Sequence, residues 1–305
     1  HNPLRRTVGA IALGRAEVRV QRKDAIVLRG IVVDVAAVQE NHVFQIIAHE
    51  TRIARNHAYA MLEELEIQMA RATDKVALAR NAEEVAANKA KGLVSIMLGL
   101  ENASPIGHDI AVLEDLAARG VRYVTLTHSE DNQICDSCTG KGKWGGLSPF
   151  GREFVKELNR LDVLVDLAHC ADSTIREVLE VSQKPVVYTH GCCRALHKHP
   201  RNLSDELLKA IASRGGVVGM SIYPDFLSDS RTPGVGKVVD HIEHAIDVCG
   251  IDHVGLGTDY DGIDYTAHGL EDISKFRIIL DVLHGRGYTQ AEVDKVAGRN
   301  FLNLL

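Results

Sequence analysis

Two hydrophobic patterns alternate along the chain. Short apolar runs rich in β-branched residues occur at 30–38 (GIVVDVAAV), 92–101 (GLVSIMLGLE), 121–128 (VRYVTLTH), 163–169 (VLVDLAH), 185–190 (PVVYTH), 215–223 (GGVVGMSIY) and 253–259 (HVGLGTD), with a weaker one at 9–14 (GAIALG). Runs that are apolar at consecutive positions predict strands covered on both faces, as in a parallel sheet. Between them lie stretches of helical character at 57–72, 203–215 and 238–250. Ser148 before Pro149 marks a helix start, because the hydroxyl caps free amides and proline suits the first turn. Thr289 and Glu292 have capping-box spacing. Strands alternating with helices at this length predict an α/β fold, a (β/α)8 barrel of the TIM type. It is read as one domain over residues 1–305, with its first strand the least defined. A doubly wound sheet is the weaker reading, since neither GLGTDYDG nor TGKGKWGG completes a phosphate-binding glycine turn.

Composition narrows the class. The chain has 305 residues, 45% hydrophobic and 25% charged, which fits a soluble globular protein. A net charge of −6 with scattered Lys and Arg argues against a nucleic-acid partner. No apolar stretch approaches the ~20 residues that cross a bilayer. The opening HNPLRRTVGA lacks an apolar signal region, so the expectation is a cytoplasmic protein away from membranes. Six cysteines are too sparse for a disulfide scaffold and are expected to be reduced. Cys135-x-x-Cys138 has no second pair to make a zinc knuckle.

The ends of the apolar runs carry the chemistry: Glu101, His128, His169, His190, Tyr223 and Asp259. In a barrel the C-terminal ends of the strands form one rim, where active sites are built. A single such histidine is ordinarily a hydrogen-bonded core residue, and an aspartate there is often a helix cap. Four Glu, His, His and Asp endings together point to a divalent metal and a metal-assisted hydrolase. Neither a GxSxG elbow nor an HExxH helix is present. Asp166, three before His169, has the opposite strand parity and is expected to face the helices. The segment 129–147, with GKGKWGG around Trp144, reads as a mobile, lid-like loop. His197 and His199 read as solvated or supporting groups, and Tyr223 as barrel filling or pocket wall.

The blocks GLEN, GVRYVTLTHSEDNQICDS, GGLSPFGREFVKELNRLDVLVDLAH, KPVVYTHGCCRALHKHPRNLSDELLKAI and GIDHVGLGTDYDGI resemble successive signatures of the membrane (renal) dipeptidase family of zinc peptidases. The likeness runs from about residue 92 to the last residue; before that, VLRGIVVDVAAVQ resembles the second barrel strand only loosely. The resemblance implies hydrolysis of dipeptides bearing a free C-terminal carboxylate. It implies that Glu101 bridges two zinc ions, with His169 and His190 completing one site. By the same resemblance His128 contacts the scissile carbonyl and its oxyanion. Arg201 grips the substrate carboxylate, and Asp259 meets the substrate amine or carries the proton. Homodimerisation is a further implication of the family.

One family feature is missing. The first strand of the family ends in Asp-x-His-x-Asp, whose His-x-Asp holds the other metal, and no histidine here is followed two positions later by aspartate. His1 matches the motif's histidine at best, with Pro3 in place of the acid. Three readings follow: a shortened chain, one zinc held by Glu101, His169 and His190, or a non-catalytic relative acting as a binding module. A hydrolase of another small amide, such as a β-lactam or an N-acyl amino acid, is a fourth.

Overall fold

The computed structural model describes residues 51–305 and, before them, the backbone of strand segments within 18–47. Those segments are β1 (Val18–Val20), β2 (Ile26–Leu28), β3 (Val32–Asp34) and β4 (Asn41–Ile47). Then follow α1 (Thr51–Arg71), β5 (Val76–Leu78), α2 (Ala82–Ala90), β6 (Val94–Glu101), α3 (Ile110–Ala118), β7 (Val121–Thr125), α4 (Pro149–Arg160) and β8 (Leu164–Asp166). The last part holds α5 (Asp172–Val181), β9 (Val187–Gly191), α6 (Asp205–Ser213), β10 (Val217–Met220), α7 (Pro224–Leu227), α8 (Val235–Cys249), β11 (Val254–Leu256), α9 (Arg277–Gly285), α10 (Gln290–Asp294) and α11 (Asn300–Leu302).

The fold is α/β, built on seven parallel strands in the order β11-β10-β9-β8-β7-β6-β4. The apolar runs account for six of them. The seventh, β4, is not predicted by the pattern: NHVFQII mixes polar with apolar residues, yet all of it pairs with β6, from Ser95 to Glu101. The run at 30–38, expected as a barrel strand, contributes only β3, which lies antiparallel to β4 at the edge. The weak run at 9–14 falls outside the described residues. The short β5 pairs with the start of β6.

Helices cover the sheet through apolar faces. In α4 the buried residues are Gly151, Phe154, Val155 and Leu158, the i, i+3, i+4, i+7 stripe of an amphipathic helix. The Ser148 hydroxyl accepts from the Gly151 amide at 2.9 Å, with Pro149 in the first turn, as the sequence predicts. The Thr289–Glu292 capping box forms in full. Each fully buried Leu or Phe on such faces contributes about 1.5–3 kcal/mol of transfer free energy.

The sheet must curl. Strands β6 and β9 are three spacings apart, about 14 Å across a flat sheet. Yet Glu101 at the end of β6 reaches within 3.4 Å of His190 on β9. Asp259, just past β11, lies within 4.0 Å of the same histidine. Where β9, β10 and the chain leaving β11 meet, backbones touch directly. A Cβ on Gly219 would stand 2.1 Å from the Thr189 carbonyl oxygen, and one on Gly257 1.8 Å from it. Only glycine allows that approach. Among the described residues no helix is long and apolar enough to cross a membrane. All six cysteines are free thiols.

Candidate active site

The rim gathers the predicted side chains, by a different local geometry from the one the sequence suggested. Glu101 ends β6, as read, and His190 stands one residue before the end of β9. His128, His169 and Asp259 stand three residues beyond their strands, which stop at Thr125, Asp166 and Leu256. His169 has φ +66° and Asp259 φ +61°, both left-handed. Such φ values are uncommon outside glycine and mark positions fixed by their surroundings.

Three groups form a tight cluster. His169 Nε2 is 3.0 Å from Glu101 Oε1 and 3.0 Å from His190 Nε2, and His190 Nε2 is 3.4 Å from Glu101 Oε1. Ligand atoms about 2.0–2.1 Å from a tetrahedral zinc are themselves about 3.3–3.4 Å apart. The observed triangle is close to that, so the donor set fits a divalent ion. His128 Nε2 is farther, 3.9 Å from Glu101 Oε1, although one atom each of Glu101, His128 and His169 lie within 4.8 Å of one another. His128 therefore borders the cluster, its ring centroid 4.1 Å from that of His169.

Electrostatics favour metal-ready imidazoles. Burial drives the pKa of His169 and His190 well below the usual histidine value, and the Arg201 charge adds to it. Neutral imidazole is the form that ligates a metal. Burial pushes Asp259 up to about 7, against the opposing pull of Arg201.

Arg201 sits in the loop after β9, 4% exposed. It donates to the Tyr188 hydroxyl at 2.8 Å and to the His190 carbonyl at 3.1 Å, with its guanidinium 5.2 Å from the Phe226 ring centre. Among the described residues no carboxylate comes within ion-pair distance of it. Burial disfavours its charge, but the net shift is upward through Tyr188, Cys138, Asp259 and Glu101. A buried cation with neutral partners is costly unless an anion completes it. His199 supports it, accepting the Arg201 amide at 3.1 Å. Tyr223 is half-buried, stacked edge-on against Phe226 at 4.9 Å.

Two readings need amending. The segment 129–147 is pinned. Asp131 accepts from the amides of Ser137, Lys141 and Lys143, and Asp136 from those of Trp144 and Gly146. Ser137 also donates to the His128 carbonyl at 2.5 Å, and the Cys138 amide donates to that of His169 at 2.8 Å. The loop is a clamp on two site histidines. Asp166 ends its strand, so parity does not carry on to His169. Its carboxylate bonds Thr125 and Thr189 on the neighbouring strands, at 2.5 and 2.8 Å, instead of serving the helix layer. The sequence held no sign of this hub beyond an acid inside an apolar run.

Residues 28–305 match the family described as membrane dipeptidase, peptidase family M19. The chain belongs to the membrane dipeptidase family. Within reach of the membrane dipeptidases it is similar to dipeptidase verJ of Clonostachys rogersoniana, 37% identical over 236 residues, which is 77% of this chain and 61% of that one. The chain spans 52% to 61% of the length of the curated relatives it matches. The probable dipeptidase PvdM of Pseudomonas aeruginosa shares the fold, with TM-score 0.83 at 24% identity, covering 87% of this chain and 84% of that one. A metallo peptidase of Rhodobacter sphaeroides, liganded with a phosphinate mimic of the dipeptide L-Ala-D-Ala, aligns with TM-score 0.79 at 29% identity, over 84% of this chain and 76% of that one. Membership in the membrane dipeptidase family implies a metal, which the Glu101, His169 and His190 triangle fits. His1 and Pro3, the nearest match the sequence offers to the family's other metal motif, lie outside the described residues.

Proposed function

We propose that this chain hydrolyses dipeptides with a free C-terminal carboxylate, with zinc held by Glu101, His169 and His190. The observation that carries the reading is the ligand triangle beside a buried Arg201 that, among the described residues, has no carboxylate within ion-pair distance. Family membership and the likeness to the dipeptide-mimic-bound metallo peptidase support it. The seven parallel strands are read as part of a (β/α)8 barrel, with residues 1–305 as one domain.

When bound, a divalent ion supplies Lewis acidity and makes a nearby water acidic at neutral pH. The protein's own residues do the rest. Arg201 pairs with the substrate carboxylate in a planar fork, which fixes the peptide and selects for an unblocked C-terminus. His128, bordering the ligand triangle, donates from Nε2 to the carbonyl oxygen as charge develops there. With the proton on Nε2, Nδ1 accepts from the Ser129 hydroxyl at 2.9 Å, which steadies the ring. Asp259, raised to about 7 by burial, is suited to hold and pass a proton to the leaving nitrogen near neutrality.

The test is release of free amino acids from a dipeptide panel in zinc-supplemented buffer, with His190→Ala as control. Turnover by the chain and its loss in the variant are expected. Equal turnover in His190→Ala would remove the ligand assignment.

A further inference from the structure

We propose that Asp166 and Thr189 set the tautomer of His190 and are positioning residues for the metal centre; this rests on the metal reading of the site. Thr189 Oγ1 lies 2.8 Å from Asp166 Oδ2 and 2.9 Å from His190 Nδ1. A hydroxyl has one proton to give. The Asp166 carboxylate is engaged as an acceptor on both oxygens. Oδ1 receives the amides of Ala168 (3.0 Å) and Thr189 (2.9 Å), and Oδ2 also receives the Thr125 hydroxyl (2.5 Å). The Thr189 proton therefore goes to Asp166, and its oxygen lone pair accepts Nδ1–H of His190.

The consequence falls at the other ring nitrogen. With Nδ1 protonated, Nε2 of the neutral ring carries a lone pair, and it faces His169 Nε2 at 3.0 Å and Glu101 Oε1 at 3.4 Å. The opposite tautomer would aim a proton at the centre of the ligand triangle. A carboxylate that orients a metal-binding histidine is a general device, and it raises ligand basicity as well as fixing the ring. Here it acts through a threonine. The two residues come from adjacent strands: Asp166 ends β8 and Thr189 lies in β9. The relay ties strand pairing to ligand geometry.

Two measurements on the full chain test it. In metal-free protein labelled with 15N-histidine, the ring of His190, assigned by difference with His190→Ala, is expected as the Nδ1–H tautomer at pH 7.5. The Nε2–H tautomer would overturn the proposal. Zinc affinity is then read by competition with a chromophoric chelator. Thr189→Val is expected to weaken zinc binding about 10- to 100-fold. Thr189→Ser, which restores the hydroxyl, and Thr125→Val, which removes only a bond to the carboxylate, should stay within about threefold of the parent. A Thr189→Val protein of parental affinity, or an equal loss in Thr125→Val, would reduce the network to sheet architecture. Circular dichroism establishes folding of each variant, and if Thr189→Val does not fold, the tautomer measurement decides. A parent chain that binds no zinc fails the metal reading, while its His190 tautomer still tests the relay.

Discussion

His241 makes acid stability a quantitative test of how the active-site loop is held. It is fully buried on α8, where Nδ1 accepts the Cys193 amide at 3.1 Å and Nε2 donates to the Leu227 carbonyl at 3.0 Å. Both nitrogens are committed as a neutral ring, so a second proton would face the Cys193 N–H donor. Burial lowers its pKa to about 4, Lys237 and His197 add to the shift, and the Leu227 bond and Asp240 oppose it. The unfolded value is about 6.5. Because the folded pKa is the lower one, the unfolded chain takes up the proton first. Stability is then intact above about pH 6.5 and falls as pH drops towards 4. A difference of about 2.5 units corresponds to about 3 kcal/mol in full, and to about 2 kcal/mol between pH 7.5 and pH 5. Urea unfolding of the chelator-treated protein and of His241→Gln at both pH values isolates the contribution, since other histidines cancel. The parent should lose about 2 kcal/mol more than the variant on acidification. Equal losses within about 0.5 kcal/mol, against the linkage expected here, would refute the assignment of a neutral, doubly bonded His241.

Three further outcomes are expected. Arg201→Met should raise KM for a dipeptide about 10- to 100-fold, the cost of a lost charged hydrogen bond, while a C-terminally amidated dipeptide binds both forms equally poorly; steady-state kinetics on the two substrates reads this. Gly257→Ala must displace the Thr189 backbone, so it should cost about 1–3 kcal/mol in urea unfolding and weaken zinc binding measured by chelator competition. Zinc at a hundredfold excess over its Kd should stabilise the parent by about 2.7 kcal/mol in thermal melts, and His190→Ala should lose that gain.

What the sequence disclosed was mostly local. Ser148-Pro149 and the Thr289–Glu292 box were legible because caps depend on residues three or four apart. The six apolar strands were legible because both of their faces are covered. The ends of those strands were not. Apolar patterning runs through Leu167 and Ala168, but the strand stops at Asp166, and His169 then adopts φ +66°. That turn is fixed by partners such as the Cys138 amide on its carbonyl, from a distant segment. Asp166 was misplaced for the same reason, because parity counting presumes an unbroken strand. Strand β4 escaped because His42 and Gln45 interrupt its apolar pattern, and its pairing with β6 is a long-range fact. Arg201 lies in a loop without periodicity, so only the family resemblance singled it out.

The stapled loop at 129–147 bears on how this fold could be re-engineered. A long segment beside a pocket is a natural choice for randomisation when a new specificity is sought. Here much of that segment is scaffold: Asp131, Asp136 and Ser137 hold its path and two of the site histidines. A library that varied them would mostly sample collapsed metal centres. Lys141 and Lys143 are different, since they give Asp131 only their backbone amides and their side chains are exposed. Diversity placed at those two positions leaves the staples intact, so the path of the segment and the backbone of the two site histidines survive the change.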